Sequence, residues 1–271
     1  MDALQHESLL DLEAEAAPHR YSLQLRQDIC GGPPERQFLF GGAALGAAIA
    51  ALESSCARPV AWATAQYVSF ARLPSTVTFE VEPLVEGRET SQARVKALVE
   101  DREIICVSAA LGARSGDERH IWLAAPDAPP PEACPPMEGL RRHWNNLPNQ
   151  FDRRIAPVAS IADSPGGRHL MWVRHKHGFA VDRPMLAVIA DFVSEGLRPN
   201  LGENAFGNSL DNTIRFVDSA PTDWVLCDIR IQSVTNGLVH GAMHLFSEDG
   251  VLLAIASQTL ILRLRPPHGA H

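Results

Sequence analysis

The sequence feature that most constrains the fold is an internal repeat, in which one apolar helical segment followed by four strand-like segments occurs twice. In the first half, Gly41-Gly42 precedes an Ala-rich stretch, AALGAAIAALESS, which is long enough for a helix of three turns ending near Ser55. In the second half, PMLAVIADFVSEGL predicts a helix with Pro184 in its first turn, where a missing N–H costs nothing.

Four segments with strand character follow each helix, separated by residues typical of turns. In the first half they are ATAQYVSFARL, TVTFEVEPLVEG, SQARVKALVED and EIICVSAALGAR, and in the second half SLDNTIRFVD, DWVLCDIRIQSV, GLVHGAMHLFSEDG and VLLAIASQTLILR. The spacing is nearly constant, since Glu100 lies 148 residues before Glu248 and Phe70 lies 146 residues before Phe216. Order and spacing together indicate a tandem repeat.

An antiparallel meander of this length has to bury one face, and each half supplies a single apolar helix for that purpose. We therefore expect an α+β fold, in which a curved antiparallel sheet wraps around a long helix, twice. Segments such as VLLAIASQTLIL are apolar on both faces. Their second face is expected to be covered by the other repeat or by another subunit, which predicts a homodimer or a larger even-numbered homo-oligomer.

A proline-rich segment separates the halves. Residues 126–136 read PDAPPPEACPP, with six prolines in eleven positions, and proline lacks the amide donor that a helix or sheet interior needs. This composition predicts an extended connector. The predicted organisation is an N-terminal repeat over residues 1–125, a linker over 126–148 and a C-terminal repeat over 149–271. The acidic first fifteen residues have no counterpart in the second repeat and receive no role.

Composition excludes several classes of function. With 24 basic and 32 acidic residues the net charge is −8, which argues against a nucleic-acid partner because such proteins need a basic face. No apolar run is long enough to predict a membrane span, and the acidic start lacks the basic region of a secretory signal. Five scattered cysteines without a CxxC pair indicate reduced thiols and predict a cytoplasmic protein.

Four phrases of the sequence resemble a known family: FLFGGAALGAAIAAL, YVSFARLPSTVTFEVEPLVEGRETSQARV, SLDNTIRFVD and SEDGVLLAIASQTLILR. In this order and spacing they are similar to the acyl-CoA thioesterase II family of tandem, or double, hot-dog proteins, over roughly residues 20–265. The resemblance implies two hot-dog domains, hydrolysis of fatty acyl-CoA to a free acid and CoA, and a place in fatty acid metabolism. No metal or nucleotide cofactor is indicated.

The resemblance also implies three site residues. In that family an aspartate of the second helix, a Ser or Thr opening the following strand and a glutamine of the last strand hold the attacking water. Here these positions are Asp191 in VIADFVSEG, Ser209 in NSLDNTIRF and Gln258 in ASQTLILR. Two positions depart from the common pattern. Ser209 stands where some members have Thr and retains the hydroxyl, whereas Asn212 stands where a His often follows SLD, which changes the local hydrogen bonding.

The same three residues stand out without the resemblance, because the second repeat is polar where the first is small or apolar. Gln258 aligns with Ala110, and the helix around Asp191 corresponds to one built of Gly and Ala. A buried polar group without a partner costs about 1–3 kcal/mol, so the three groups are expected to meet in one site. Two interpretations stay open: a catalytic site with Asp191 as general base, and a structural cluster that attaches the helix to the sheet.

A thioesterase also needs hydrogen-bond donors for the oxyanion that develops on the carbonyl oxygen. Backbone N–H groups at a helix N-terminus can supply such donors. The turn at Gly41-Gly42 is a candidate, because glycine lets a substrate approach the backbone closely.

Other motifs predict structure rather than chemistry. GNSLD fails as a nucleophile elbow because Asp211 replaces the second glycine, and GGAALG lacks the Lys of a phosphate-binding loop and predicts close helix packing. His175 and His177 share a strand face without a further ligand at a metal-binding spacing. Asp211 is expected to brace the start of its strand. Four basic residues are expected on the surface, with contact to CoA phosphates as the minor alternative: Arg141, Arg142, Arg153 and Arg154.

Two other functions stay open. An enoyl-thioester hydratase or dehydratase with a hot-dog fold would need a His or carboxylate at the acyl β-carbon, and His240 beside Asp191 would favour it. A non-catalytic acyl-thioester-binding protein would keep the substrate channel and leave the thioester intact. Acyl chain length is not predicted, because the depth of the pocket depends on packing that the periodicity of the sequence does not define.

Overall fold

The computed structural model describes residues 8–114, 116, 118–137, 144–158 and 167–264. The α-helices are α1 Gly41–Cys56, α2 Arg183–Ala190 and α3 Leu197–Leu201. The strands are β1 Glu13–Ala14, β2 Arg20–Gln24, β3 Cys30–Gly31, β4 Phe38–Leu39, β5 Val60–Tyr67, β6 Thr76–Glu86, β7 Thr90–Val99, β8 Arg102–Gly112, β9 Phe151–Ala156, β10 Arg168–His175, β11 Ala205–Ser209, β12 Asp211–Phe216, β13 Val225–Thr235, β14 Leu238–Phe246 and β15 Leu252–Leu264. None of the described helices has the length and apolarity to cross a membrane.

One continuous antiparallel sheet connects both halves of the chain. Its strand order is β1-β2-β6-β7-β8-β5-β12-β15-β14-β13-β10-β9, with β11 also paired to β15, while β3 and β4 pair separately. The halves meet where β5 pairs with β12, and the hydroxyls of Thr64 and Thr213 lie 3.0 Å apart at this junction. The expected α+β fold, with two tandem repeats of a helix packed against an antiparallel sheet, is confirmed.

The two long helical segments pack against each other through glycines. A Cβ atom at Gly42 would lie 2.7 Å from the carbonyl oxygen of Val188, and one at Gly46 would lie 2.8 Å from that of Pro184. Both distances are shorter than a van der Waals contact, so only glycine allows this approach of α1 to the α2 backbone. The interpretation of GGAALG as a helix-packing motif is confirmed, and α1 starts at Gly41 itself.

The second helical segment is interrupted, which differs from the single long helix expected for PMLAVIADFVSEGL. Asp182 caps α2 by accepting the Met185 N–H at 2.9 Å, and residues 191–196 then form a 3-10 helix before α3 begins. Gly196, which has a low helix propensity, ends the 3-10 helix, and Pro199 lies in the first turn of α3, where a missing N–H costs nothing. A proline there would remove the hydrogen bond to the residue 195 carbonyl in a continuous α-helix, so one regular helix does not run through this point, although the change to 3-10 geometry already begins at Asp191.

The proline-rich segment covers part of the outer face of the C-terminal sheet. Trp172 of β10 donates its indole N–H to the Pro129 carbonyl at 2.9 Å. A second apolar cluster, separate from the main core, forms beneath this segment and includes Cys134, Trp172, Trp224 and Leu226. The covering of the outer face by another repeat or another subunit was therefore a wrong expectation for this part of the sheet, since the linker itself lies there.

Candidate active site

Asp191 is the first residue after α2 and faces the contact between the two repeats. Its side chain is only 4% exposed. The Gly42 N–H of α1 donates to Asp191 Oδ2 at 2.8 Å, so the first repeat supplies one of the contacts of this carboxylate. The N-terminus of a helix favours a negative charge, which explains why an aspartate is tolerated at this buried position.

Ser209 and Gln258 contact the same carboxylate from the sheet. Gln258 donates its Nε2–H groups to Asp191 Oδ1 at 2.5 Å and to Ser209 Oγ at 2.7 Å, while Ser209 Oγ donates to Asp191 Oδ1 at 3.3 Å. Ser209 ends β11 and Gln258 lies on β15, the strand that pairs with β11. The prediction that these three residues meet in one site is confirmed, although their chemical role is a separate question.

The environment of Asp191 changes its acidity. Burial raises the pKa of this carboxyl to about 6, although the hydrogen bonds from Gln258, Gly42 and Ser209 partly counteract the rise. A general base works best when its pKa lies near the operating pH, because it is then both ionised and basic enough to accept a proton. Asp191 therefore has the acidity expected of a base that acts near neutral pH.

A cavity of about 180 Å³ opens beside these residues. Asp191 and Ser209 form part of its polar wall. The apolar part of the wall comes mostly from the first repeat and includes Phe38, Leu39, Phe40, Ala44, Phe70, Ile104 and Ile105. An apolar pocket with a few convergent polar groups is the usual form of a small-molecule site, and it suits a ligand with an apolar chain and one reactive polar centre.

The pairing of strands defines which residues of the first repeat correspond to the site. Thr64 pairs with Ser108 and Thr213 pairs with Ser257, so Gln258 corresponds to Ala109. The alignment of Gln258 with Ala110 was wrong by one residue. Between the equivalent pairs Phe246–Leu252 and Leu98–Glu103, the connection has five residues in the second repeat (247–251) and four in the first (99–102).

Ser209 has an apolar counterpart by the same reasoning. Ser209 pairs with Leu260 of β15, as Val60 pairs with Leu111 of β8. The first repeat therefore has Val60 and Ala109 where the second has a hydroxyl and an amide. This difference means that the polar cluster belongs to one repeat alone, as expected for a site rather than for a feature that the fold requires twice.

The structure changes the expected role of Gly41-Gly42. The Gly42 N–H is engaged by Asp191 Oδ2 and is therefore not a free donor for a substrate oxyanion. A Cβ atom at Gly41 would lie 2.9 Å from Asp191 Oδ2 and 3.1 Å from Cζ of Tyr67. Glycine at this position thus keeps the helix start close to the carboxylate and to the tyrosine ring.

Sequence reasoning missed Tyr67 and did not foresee the burial of Asn212. Tyr67 lines the cavity, and its hydroxyl is buried without a hydrogen-bond partner among the described residues. Asn212 is fully buried, and its side-chain amide atoms likewise have no hydrogen-bond partner of normal geometry among the residues that the structure describes. The available signal was the alternation in β5, which places Tyr67 on the same face as Ala63 and Ala65.

The histidines and Asp211 take structural positions. His240 lies on the exposed face of β14, opposite Thr259, and not beside Asp191. Asp211 accepts the Thr259 N–H at 2.7 Å, which confirms that it braces its strand. His175 accepts the His177 N–H at 3.3 Å, and the described residues contain no cluster of metal-binding side chains.

The basic residues that were considered for CoA phosphates are engaged elsewhere where they are described. Arg153 forms an ion pair with Glu195 at 2.7 Å, and Arg154 donates to the Pro131 carbonyl at 3.3 Å. Arg141 and Arg142 lie outside the described residues.

Known proteins are similar to this chain over nearly its whole length. The sequence pattern of the acyl-CoA thioesterase N-terminal domain matches residues 33–112, and that of the C-terminal domain matches residues 131–262. A provisionally assigned thioesterase from Novosphingobium aromaticivorans is 33% identical, with a TM-score of 0.84 over 93% of this chain and 98% of its own. None of the curated proteins compared with the chain matches it.

Two more distant solved structures share the fold. An acyl-CoA thioesterase II from Mycobacterium marinum is 21% identical, with a TM-score of 0.76 over 96% of this chain and 98% of its own. A hot-dog protein of unknown function from Alicyclobacillus acidocaldarius is 17% identical, with a TM-score of 0.77 over 94% and 96% of the two chains. Together with the matched domain patterns and the 33% identical relative, the chain belongs to the acyl-CoA thioesterase family and is a thioester hydrolase with a double hot-dog fold.

Proposed function

We propose that this protein hydrolyses fatty acyl-CoA to a free fatty acid and CoA, with a water molecule held by Asp191, Ser209 and Gln258 as the nucleophile. The observation that carries the proposal is the placement of these residues. Three mutually bonded polar side chains of the second repeat meet beside one largely apolar cavity, which Asp191 and Ser209 line, and the strand positions that correspond to Ser209 and Gln258 in the first repeat are apolar.

Each residue has a role that its chemistry allows. Asp191 accepts a proton from water, and the water oxygen then forms a bond with the thioester carbonyl carbon. Ser209 and Gln258 orient the water and the carboxylate, which lowers the entropic part of the barrier. The carbonyl double bond re-forms as the carbon–sulfur bond breaks, and the departing CoA sulfur takes up the proton that Asp191 had accepted.

A purely structural cluster accounts for the geometry less well. A cluster selected for stability would leave no buried polar atom unsatisfied, whereas Gln258 Oε1 is buried without a partner among the described residues. It would also hold the carboxylate in its favoured ionised form, whereas burial raises the pKa of Asp191. An unsatisfied amide and a destabilised carboxylate are more typical of a functional site.

The direct test is release of free CoA thiol from short-, medium- and long-chain acyl-CoA by the wild-type protein. We expect release in proportion to protein concentration, and the panel gives the preferred chain length. An enoyl-CoA substrate, followed by loss of its conjugated absorbance, tests the hydratase alternative, for which the outward position of His240 offers no support. An acyl-thioester that binds but survives long incubation would instead identify a binding protein.

The cellular setting and the assembly are further proposals. All five cysteines are unpaired, which supports a reducing compartment such as the cytoplasm, where a role in fatty acid metabolism is expected. Self-association into a dimer or a larger even-numbered oligomer is likewise proposed, because the linker covers only part of the outer face of the apolar strands. Light scattering on the purified protein measures its mass and decides between monomer and oligomer.

A further inference from the structure

Tyr67 brings an unused hydroxyl group from the first repeat to the site of the second. It is the last residue of β5, at the junction of the two half-sheets, and its ring packs against the start of α1. A single atom placed on Gly41 would touch both Asp191 Oδ2 and the Tyr67 ring, so the carboxylate and the phenol are close neighbours. Tyr67 also lines the cavity that Asp191 and Ser209 line.

The three donors that contact Asp191 are already in use. The Gly42 N–H, the Ser209 hydroxyl and the Gln258 amide all donate to the carboxylate, and the Gln258 amide donates also to Ser209. Attack by water shifts the carbonyl electron pair onto oxygen, and this oxyanion needs a donor that is not committed to Asp191. The Tyr67 hydroxyl has no partner of normal hydrogen-bond geometry among the described residues.

The phenol stays protonated in this environment and therefore keeps a hydrogen that it can donate. Burial raises the pKa of Tyr67 well above its ordinary value, and the negative charge of Asp191 raises it further, although the nearby Asn212 amide counteracts the change. A buried donor without a partner costs free energy, which is recovered when a ligand supplies the acceptor.

We propose that Tyr67 is a catalytic residue whose hydroxyl donates a hydrogen bond to the carbonyl oxygen of the acyl thioester. This inference rests on the proposed hydrolysis. The hydrogen bond strengthens as water adds to the carbonyl carbon and the π electron pair moves onto oxygen. The phenolic proton stays on Tyr67 throughout. When the carbonyl re-forms, the carbon–sulfur bond breaks and the CoA sulfur receives the proton held by Asp191.

The test compares Tyr67→Phe with Tyr21→Phe. The first substitution removes only the hydroxyl and keeps the ring that packs on Gly41. The second is a matched control, because Tyr21 is the other tyrosine of the chain and its hydroxyl bonds to Ser55 at 3.0 Å. We expect Tyr67→Phe to lower kcat by about 10²–10³-fold with little change in KM, as for loss of one oxyanion donor, and Tyr21→Phe to retain wild-type kcat.

Each outcome separates this inference from the proposed function. If the wild type is active and Tyr67→Phe has the same kcat, the role of Tyr67 is overturned and the proposed hydrolysis stands. If the wild type itself releases no thiol, the proposed hydrolysis is contradicted. The pH profile gives a second readout. Tyr67→Phe should keep the wild-type rise near pH 6, since Asp191 remains the base; a shifted profile would mean that Tyr67 acts only through Asp191. Equal melting temperatures of Tyr67→Phe and the wild type exclude a folding defect in the variant.

Discussion

At the scale of single residues, the site places a carboxylate, a hydroxyl and an amide in a wall that is otherwise apolar. Asp191, Ser209 and Gln258 could be predicted to meet, because an unpaired polar group in an apolar strand or helix has to find a partner. The strand counterpart of Gln258 could not be predicted correctly, since the lengths of the connections between strands differ between the repeats. Tyr67 escaped prediction because a tyrosine on a half-buried strand is ordinary until its hydroxyl is found without a partner.

The raised pKa of Asp191 predicts the pH dependence of the reaction. A base has to be ionised, so kcat/KM should rise with pH through about 6 and become level above it. Steady-state rates measured across this range on a fully folded sample check the prediction. A profile that stays flat down to about pH 4, the region of an ordinary aspartate, would contradict it.

The same pKa shift predicts how Asp191→Asn changes stability. Because the folded-state pKa lies above the unfolded value, the folded protein binds more protons between about pH 4 and 6, and the free energy of unfolding falls as pH rises through that window. Above about pH 6, Asp191 is ionised in both the folded and the unfolded protein, so the full free-energy cost of burying its charge lowers the free energy of unfolding. Asp191→Asn should therefore unfold at the same or a higher denaturant concentration than wild type at pH 8. A loss of about 1–3 kcal/mol would instead favour a structural cluster.

Ser209 offers a matched pair of substitutions. Ser209→Ala removes the hydroxyl that contacts Asp191 and Gln258, so water and carboxylate lose orientation and kcat should fall by about 10²-fold. Ser209→Thr keeps the hydroxyl and should retain most of the activity. Thiol-release kinetics on both variants check this prediction, and equal activity in both would show that the hydroxyl has no role.

At the scale of elements, the contact between α1 and α2 positions the site, because it places the start of α1 on Asp191. The Ala-rich sequence predicted α1 and its close packing correctly, with an end one residue beyond the expected position. The second helical segment was predicted as continuous, since its apolar residues keep a helical spacing. The structure instead changes to a 3-10 helix at Asp191 itself, and this 3-10 helix ends at Gly196, directly before α3.

Gly46→Ala tests the helix contact. Alanine has a helix propensity about 1 kcal/mol more favourable than glycine, so an isolated helix would be stabilised. In the folded chain its Cβ would lie 2.8 Å from the Pro184 carbonyl oxygen, and we expect a net destabilisation of about 1–3 kcal/mol. Gly116→Ala is the control, since no atom of the described residues beyond its chain neighbours lies within 4 Å of its Cβ position. Denaturant unfolding of both variants measures the difference, and a stabilised Gly46→Ala would contradict the described contact.

At the scale of the whole molecule, the two repeats share one sheet and one main core. The core includes Leu45 and Ile49 of α1 together with Val188 and Ile189 of α2. The repeat could be predicted from the order of the elements, and this order also gave the α+β class. Two features could not be predicted from the sequence: the pairing of β5 with β12 and the position of the linker on the outer sheet face. Both depend on contacts between residues far apart in sequence.

This shared core predicts one cooperative unfolding transition. Calorimetry should give equal calorimetric and van't Hoff enthalpies, and Gly46→Ala should shift the single transition without splitting it. Two resolved transitions would show that the repeats are independent folding units.

The central claim is that Asp191 activates water for thioester hydrolysis, and one measurement tests it most directly. Thiol release from the preferred acyl-CoA is compared between wild type, Asp191→Asn and the control Asp101→Asn, which alters an exposed turn. We predict that Asp191→Asn lowers kcat by about 10²–10⁴-fold while the fold is retained, and that Asp101→Asn is as active as wild type. A folded Asp191→Asn variant with wild-type turnover would contradict the account.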